Sequence, residues 1–211
     1  MTTPAPSSPP FPARTIRADA RRNRERLLAA AKTVFARGGP TPSLDAVARE
    51  AHLGIGTLYR HFPTREALYE AVYRRDVEQL VDHGTALLDA DDPVAGLRQW
   101  LHAMIDVVAT KKGMIAAFAL AADTTSAISA RTTGPLAQMI DRLVARAIAA
   151  GHIGTDVTGG DLLLGVVGMC MLRDQPGWQA GVARLIDALI DGLTSEPKGG
   201  QINIPAGTES R

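Results

Sequence analysis

Cysteine, aromatic residues and long apolar runs are all scarce in this sequence, and each shortage excludes a class of protein. The chain of 211 residues contains one cysteine, Cys170, which excludes a disulfide framework within the chain. The apolar run at residues 162–172 has 11 residues, too few to span a bilayer, which takes about 20. The Pro- and Ser-containing N-terminus lacks the apolar segment of a secretory signal. We therefore expect a cytoplasmic protein in which Cys170 is a small buried hydrophobe.

Catalytic and cofactor-binding patterns are also missing. The sequence shows no nucleophile–base set and no phosphate-binding loop, so a helical-bundle enzyme using Cys170 or the His102/Asp106 pair is a remote alternative. His102 and Asp106 lie one helical turn apart, but no cysteine or second histidine follows at ligand spacing. His102 and Asp106 are therefore expected to be hydrogen-bonded within the protein or solvated and not to bind a metal. We expect no catalytic residue, metal or cofactor.

Charge is distributed unevenly along the chain. Residues 1–75 hold 13 Lys/Arg and 6 Asp/Glu, whereas residues 76–211 hold 10 and 16, so balances of +7 and −6 make up the net +1. A basic first third on an acidic remainder indicates a polyanionic partner for the first third only. Chance clustering on a helical surface is the alternative.

Apolar residues recur at helical spacing and strand signals are few, which predicts an all-α protein. Ser43, Thr64 and Asp92 are expected N-caps, Thr158 and Asp161 an expected capping pair, and Gly113 an expected helix breaker. Residues 1–13 and 195–211 are predicted to be disordered tails. About nine helices are expected, at residues 17–37, 44–51, 55–61, 64–83, 92–112, 114–123, 134–151, 162–173 and 176–193. The helix near 134 either starts or kinks at Gly134-Pro135.

Residues 43–62 have the pattern of a helix-turn-helix: a short helix, a turn in which Gly54 is available for a left-handed conformation, and a second short helix. Leu58 and Phe62 are expected to anchor that second helix inward. Its outward face then presents small and polar side chains, namely Thr57, Tyr59, Arg60 and His61.

The string AHLGIGTLYRHFPTREAL at residues 51–68 closely resembles the signature of TetR-type (tetracycline-repressor-like) regulators. RLLAAA at 26–31 and LDAVA at 44–48 also match that family's first two helices, and the resemblance covers about residues 22–70. The sequence departs from the family pattern at His52, where a Gly is frequent, and at Gly54, where a Ser is frequent, so a cap is lost. Ile55 replaces a polar or basic residue, and base reading there is expected to be more apolar, against a thymine methyl.

The resemblance implies a DNA-binding domain at residues 14–63 and a helical effector-binding and dimerisation domain at 64–194. It implies DNA contacts by Arg17, Arg21, Arg22, Ser43, Gly56, Thr57, Tyr59, Arg60, His61 and Arg65. Ser43 and Arg65 would contact phosphate, Tyr59 and His61 the DNA backbone, and Thr57 base edges or phosphate. Alternatives stay open for single residues: packing for Tyr59, a surface role for His61, and a solvated role for Arg65 or Arg60.

Residues 162–172 are apolar on every side, so we expect this helix to be buried on all sides, one of them by a second copy. The resemblance implies the same arrangement, a four-helix interface with the last helix; an ordinary buried helix in a monomer is the alternative. The expected interface residues are Leu164, Val167, Met171, Val182, Leu185, Ile186, Leu189 and Ile190.

An effector pocket is implied by the resemblance only. Its candidate lining residues are apolar and rich in methionine, which suits irregular gaps, although core packing explains each of them equally well. They are Trp100, Met104, Val108, Met114, Phe118, Met139 and Met169.

These patterns and the resemblance to TetR-type regulators together imply a homodimeric regulator of transcription that binds a palindromic operator in double-stranded DNA. We expect a repressor released by a small apolar or amphipathic effector. An activator or global DNA-binding regulator using the same module is the alternative.

Overall fold

The computed structural model describes residues 13–36, 43–118, 122–154, 156–171 and 176–194, with side chains except at 13–16, 36, 116–118 and 122–132. Within these ranges the chain forms eight helices and no strand, which confirms the all-α prediction and corrects the expected number of helices. The helices are α1 (Ala13–Ala36), α2 (Leu44–Glu50), α3 (Ile55–His61), α4 (Arg65–Leu87), α5 (Pro93–Phe118), α6 (Ala122–Ala149), α7 (Gly159–Met171) and α8 (Trp178–Thr194). Both predicted tails lie outside the described residues, apart from Ala13 in α1.

Side chains satisfy the free amides at several helix starts, as the sequence predicts. Ser43 Oγ accepts a hydrogen bond from Ala46 N at 3.2 Å, and Asp92 Oδ1 accepts from Val94 N at 2.9 Å. Thr158 and Asp161 form the reciprocal capping pair, since Thr158 Oγ1 accepts from Asp161 N and Asp161 Oδ2 accepts from Thr158 N. The predicted caps at these positions are confirmed.

Gly113 does not break a helix, contrary to the sequence prediction. It lies inside α5, which continues to Phe118. A Cβ atom at residue 113 would lie 2.5 Å from the backbone oxygen of Phe35 in α1, so a glycine is required for the two helices to approach this closely. The expected separate helix at 114–123 is therefore wrong at its start. Pro135 likewise lies within α6 and does not begin it.

The chain divides into two compact units, each made of two segments. Unit 1 comprises residues 1–82 and 106–136, and unit 2 comprises residues 83–105 and 137–211. The core of unit 1 contains Leu27, Ala31, Phe35, Val47, Leu58, Phe62, Leu68 and Met114. The core of unit 2 contains Leu97, Trp100, Leu101, Ile140, Val166, Cys170, Val182 and Ile186. Cys170 is fully buried there, as predicted.

Among the described residues, we find no helix with the length and apolar character needed to cross a membrane.

Candidate nucleic-acid interface

Helices α2 and α3 form a helix-turn-helix joined by residues 51–54. Leu44, Val47 and Ala48 of α2 are buried, and Arg26 of α1 donates a hydrogen bond from Nη2 to Ala51 O at 2.6 Å. Leu58 is fully buried and Phe62 is 1% exposed, so α3 is anchored at its middle and at its end. The inward face of α3 therefore matches the sequence prediction.

The left-handed residue of the turn is His52, with φ of 51°, and not Gly54. Gly54 has φ −70° and ψ 146°, an extended conformation that any residue adopts. The sequence prediction for Gly54 is wrong in this respect. Gly54 also provides no side-chain cap for α3, which agrees with the expected loss of a cap.

We expect His52→Gly to raise the free energy of unfolding by about 0.5–1 kcal/mol. A left-handed conformation costs a residue with a Cβ roughly 1–2 kcal/mol, and the entropy of glycine in the unfolded chain offsets part of the gain. Urea unfolding followed by circular dichroism measures the change.

Gly54→Ala is the matched control, because no atom lies within 4 Å of a Cβ at residue 54. This variant should be neutral or more stable by up to about 1 kcal/mol. If both the Gly54→Ala and the His52→Gly variants are less stable than the wild type, the left-handed residue is Gly54 and not His52.

The outward face of α3 is polar and accessible. Tyr59 is 50% exposed and Arg60 is exposed, while Thr57 and His61 are half-buried. Gly56 is exposed with no atom within 4 Å of a potential Cβ, and Ile55 is 37% exposed at the start of the helix. The structure thus brings the predicted α3 residues together on one accessible surface.

Cationic side chains lie on the neighbouring elements. Arg65 is the first residue of α4 and is exposed, and Arg17, Arg21 and Arg22 are exposed along α1. Ser43 is half-buried as the N-cap of α2. Each of the ten predicted DNA-contacting residues therefore keeps part of its surface accessible.

Two arginines of α1 make contacts that sequence reasoning did not foresee. Arg26 binds the carbonyl of Ala51, and the guanidinium of Arg24 lies 4.6 Å from the centre of the Phe62 ring. The excess of Lys and Arg in residues 1–75 predicts only that this part of the chain has a polyanionic partner. The individual partners of Arg24 and Arg26 depend on residues 25 or more positions away, which local sequence does not reveal.

Two ion pairs link α1 to α4 in unit 1, and one of them includes a buried carboxylate. Lys32 Nζ lies 2.9 Å from Asp76 Oδ1, and Asp76 is 2% exposed. Burial raises the pKa of the Asp76 carboxyl above its ordinary value, and Lys32 opposes this shift. Lys32, Asp76 and Arg75 line a cleft of about 290 Å³. Arg75 forms the second ion pair between the two helices, with its Nη2 3.1 Å from Glu25 Oε2. Sequence reasoning missed these pairs because their members are about 45–50 positions apart.

The seven candidate pocket residues are divided between the two units. Val108, Met114 and Phe118 belong to unit 1, and the other four belong to unit 2. In unit 2, a Cβ on Gly84 would lie 2.7 Å from Met139 Sδ and 2.8 Å from Trp100 Nε1, so these side chains are packed closely around that glycine. Trp100, Met104, Val108, Met114 and Met139 are buried, Met169 is half-buried, and the Phe118 side chain lies outside the described residues.

The predicted interface residues of α7 and α8 fall into two groups. Val182, Ile186 and Ile190 are fully buried within one copy of the chain and are not available to a partner, which corrects their assignment. Leu164 is 75% exposed, so α7 is not buried on every side in a single chain. Met171, Leu185 and Leu189 are 40%, 41% and 37% exposed, and Val167 is half-buried. These five residues define the outer apolar face.

His102 has a partner other than Asp106. Its Nε2 lies 2.9 Å from Asp187 Oδ1 of α8, at the distance of an ion pair, whereas Asp106 is exposed. Arg98 Nη1 lies 3.0 Å from the same Asp187 oxygen, and its guanidinium, followed by His102, lowers the pKa of the Asp187 carboxyl. This arrangement is a cluster of charged side chains between α5 and α8.

Two family models match the chain. The model for bacterial regulatory proteins of the tetR family matches residues 27–72, and the model for the C-terminal domain of SbtR-like transcriptional regulators matches residues 92–195. The first match contains α2 and α3, together with residues 27–36 of α1 and residues 65–72 of α4.

Solved and curated proteins show the same likeness. The crystal structure of a TetR transcriptional regulator from Streptomyces coelicolor is 36% identical with a TM-score of 0.69, over 81% of this chain and 98% of that one. A TetR regulatory protein from Mycobacterium vanbaalenii is 30% identical with a TM-score of 0.65, over 85% and 99%. An HTH-type transcriptional regulator of Staphylococcus aureus is 35% identical over 75 residues, and this match spans 35% of the chain and 40% of that curated relative. The chain belongs to the TetR family of bacterial transcriptional regulators.

Proposed function

We propose that this protein regulates transcription, as a repressor, by placing α3 in the major groove of operator DNA. The observation that carries the proposal is the two-sided character of α3: Leu58 and Phe62 are buried, while Tyr59 and Arg60 face solvent. A helix held in this way presents its side chains to base edges without disturbing the core that supports it.

The remaining DNA contacts follow from the surroundings of α3. Arg65 stands exposed at the start of α4, and Ser43 keeps its hydroxyl hydrogen available to donate to phosphate while its oxygen accepts from Ala46. Exposed Gly56 leaves room for close approach of the DNA backbone, and Ile55 offers an apolar contact to a thymine methyl. Tyr59 and His61 contact the DNA backbone, Thr57 and Arg60 lie towards the bases, and Arg17, Arg21 and Arg22 supply positive charge along α1.

We further propose that two copies pair through the outer apolar face of α7 and α8. Leu164 is the most exposed large apolar residue there, and Met171, Leu185 and Leu189 are exposed as well. Water exclusion from this surface favours association. The pair presents two copies of α3 to half-sites about 34–36 Å apart, so the operator is a palindrome.

The functional division proposed is a DNA-binding domain at residues 14–63 and an effector-binding and dimerisation domain at 64–194, in a cytoplasmic protein. A small apolar or amphipathic effector binds the state that does not fit the operator more tightly than the state that does. Effector binding then shifts the population away from DNA.

Arg65→Ala should weaken operator binding and reduce the salt dependence of the affinity. The operator sequence is identified by genome-wide mapping of the DNA sites that the protein binds. Fluorescence anisotropy of an operator duplex at several salt concentrations then measures the affinity. Loss of one phosphate contact should change the slope of log K against log salt by about 0.9. The titration should reach its end point at two chains per palindrome.

Arg142→Ala is the control, since Arg142 is exposed on α6 in unit 2. It should leave both the affinity and the slope unchanged. If the wild-type protein binds no defined DNA site, the proposed function is wrong. If Arg65→Ala has the affinity and salt slope of the wild type, Arg65 does not contact DNA.

A further inference from the structure

Arg26 of α1 is hydrogen-bonded to the turn between α2 and α3. Its Nη2 donates to Ala51 O at 2.6 Å and approaches His52 O at 3.4 Å. Ala51 is the C-cap of α2, and His52 is the left-handed residue of the turn. One guanidinium therefore holds the two residues at which the chain changes direction between α2 and α3.

The position suits a cation for a physical reason. The last carbonyl groups of a helix lack intrahelical partners and carry the negative end of the helix dipole. A charged donor at this point both satisfies a free oxygen and gains from the dipole. The rigid guanidinium keeps its direction better than a flexible ammonium would.

Arg24, two positions earlier in α1, is placed at the other end of α3. Its guanidinium lies 4.6 Å from the centre of the Phe62 ring, and Phe62 is the C-cap of α3. This distance is within the range of a cation–π contact. Because Phe62 is 1% exposed, the ring itself is held by the core and gives the arginine a fixed point.

We propose that Arg24 and Arg26 are positioning residues that fix the two ends of α3 relative to α1, and that they set operator specificity without binding phosphate. The inference rests on the proposed function. It separates them from Arg17, Arg21 and Arg22, for which no comparable contact to α2 or α3 is seen among the described residues.

The physical consequence is a difference between two kinds of affinity. Phosphate contacts contribute to operator and non-specific DNA alike and set the salt dependence. The position of α3 matters only where bases are read, since hydrogen bonds to base edges need correct distance and direction. Loss of a positioning residue should therefore lower the ratio of operator to non-specific affinity and spare the salt slope.

The test compares Arg26→Lys, Arg26→Gln and Arg21→Gln in the full chain. Operator and random-sequence duplexes are titrated at several salt concentrations, and thermal melting checks folding. Both Arg26 variants should lose operator affinity by about tenfold, the scale of one hydrogen bond to a charged group, with unchanged random-sequence affinity and slope. Arg21→Gln should instead weaken binding to both duplexes and lower the slope by about 0.9.

The charge-conserving variant separates the two roles. If Arg26→Lys binds the operator like the wild type while Arg26→Gln weakens both duplexes and lowers the slope, Arg26 contacts phosphate and the inference is overturned. If all Arg26 variants bind like the wild type, it is overturned as well. A wild-type protein that does not distinguish the two duplexes overturns the proposed function and this inference with it.

A double-mutant cycle on Arg24 and Phe62 gives a second, independent measurement, and it decides the matter if the Arg26 variants do not fold. Phe62→Leu keeps an apolar side chain in the core and removes the ring. Arg24→Gln should lower the operator-to-random affinity ratio several-fold in the wild type and have no further effect in Phe62→Leu. If Arg24→Gln lowers the affinity ratio equally in the wild type and in Phe62→Leu, Arg24 does not act through Phe62 and its proposed role is overturned. If, in addition, no Arg26 variant folds, the whole inference is overturned.

Discussion

Phe62→Ala is expected to lower the free energy of unfolding by about 3–5 kcal/mol, the range for a buried phenylalanine. Phe62 is 1% exposed, ends α3, and lies beneath the guanidinium of Arg24. Its removal leaves a cavity at the point where α3 is anchored. Since domains are stable by only about 5–15 kcal/mol, a large share of the stability of unit 1 is lost. Chemical unfolding followed by circular dichroism measures the effect.

Tyr59→Phe is the matched control on the opposite face of the same helix. Tyr59 is 50% exposed, so removal of its hydroxyl should leave the melting temperature unchanged. If the hydroxyl donates to phosphate, its removal should make the free energy of operator binding less favourable by about 1–2 kcal/mol. Normal DNA binding together with early melting would show that the hydroxyl is structural, and a small stability loss in Phe62→Ala would show that Phe62 does not anchor α3.

Gly113→Ala should destabilise the protein by about 2–3 kcal/mol, although alanine is the better helix former. The new Cβ would lie 2.5 Å from Phe35 O and 3.3 Å from Phe35 C. Both are backbone atoms, so the strain cannot be relieved by a side-chain rotation and α1 or α5 must move. The same unfolding experiment measures the change.

Gly160→Ala provides the comparison for this substitution. Gly160 is exposed in the first turn of α7, and the nearest atom to its Cβ would be Thr158 Oγ1 at 3.6 Å, an ordinary contact. This variant should be neutral or gain up to about 1 kcal/mol. If both alanine variants behave alike, the close approach of α5 to α1 is not required for stability.

The features that the sequence predicted correctly are local ones. Ser43, Asp92 and the Thr158/Asp161 pair cap helices through partners two or three residues away, so the pattern and the contact lie in the same short segment. The two faces of α3 follow equally from helical spacing, because Leu58 and Phe62 lie one turn apart. Thr57, Tyr59, Arg60 and His61 are predicted in this way, whereas the contacts of Gly56 and Ile55 are implied by the resemblance to TetR-type regulators.

The features that the sequence did not predict depend on distant partners. Gly113 resembles a helix breaker until Phe35 of α1 is placed against it. Val182 and Leu185 are both predicted interface residues, and only the structure shows that Val182 is buried while Leu185 is exposed. Conformational preference predicts the left-handed turn residue at Gly54, but the chain adopts that conformation at His52. The long side chains of Arg24 and Arg26 reach partners that charge counting cannot identify.

The contact between residue 113 and Phe35 joins one backbone to another, and this has a mechanical consequence. Contacts between side chains absorb small displacements, since a rotamer adjusts while the helices stay in place. At Gly113 there is no rotamer to adjust, so a displacement of α5 towards α1 is passed directly to the main chain of α1 at Phe35. Helix α1 is continuous from that residue back to Arg26 and Arg24. We therefore expect a displacement of α5 at residue 113 to move α1, and with it the two arginines that contact the ends of α3.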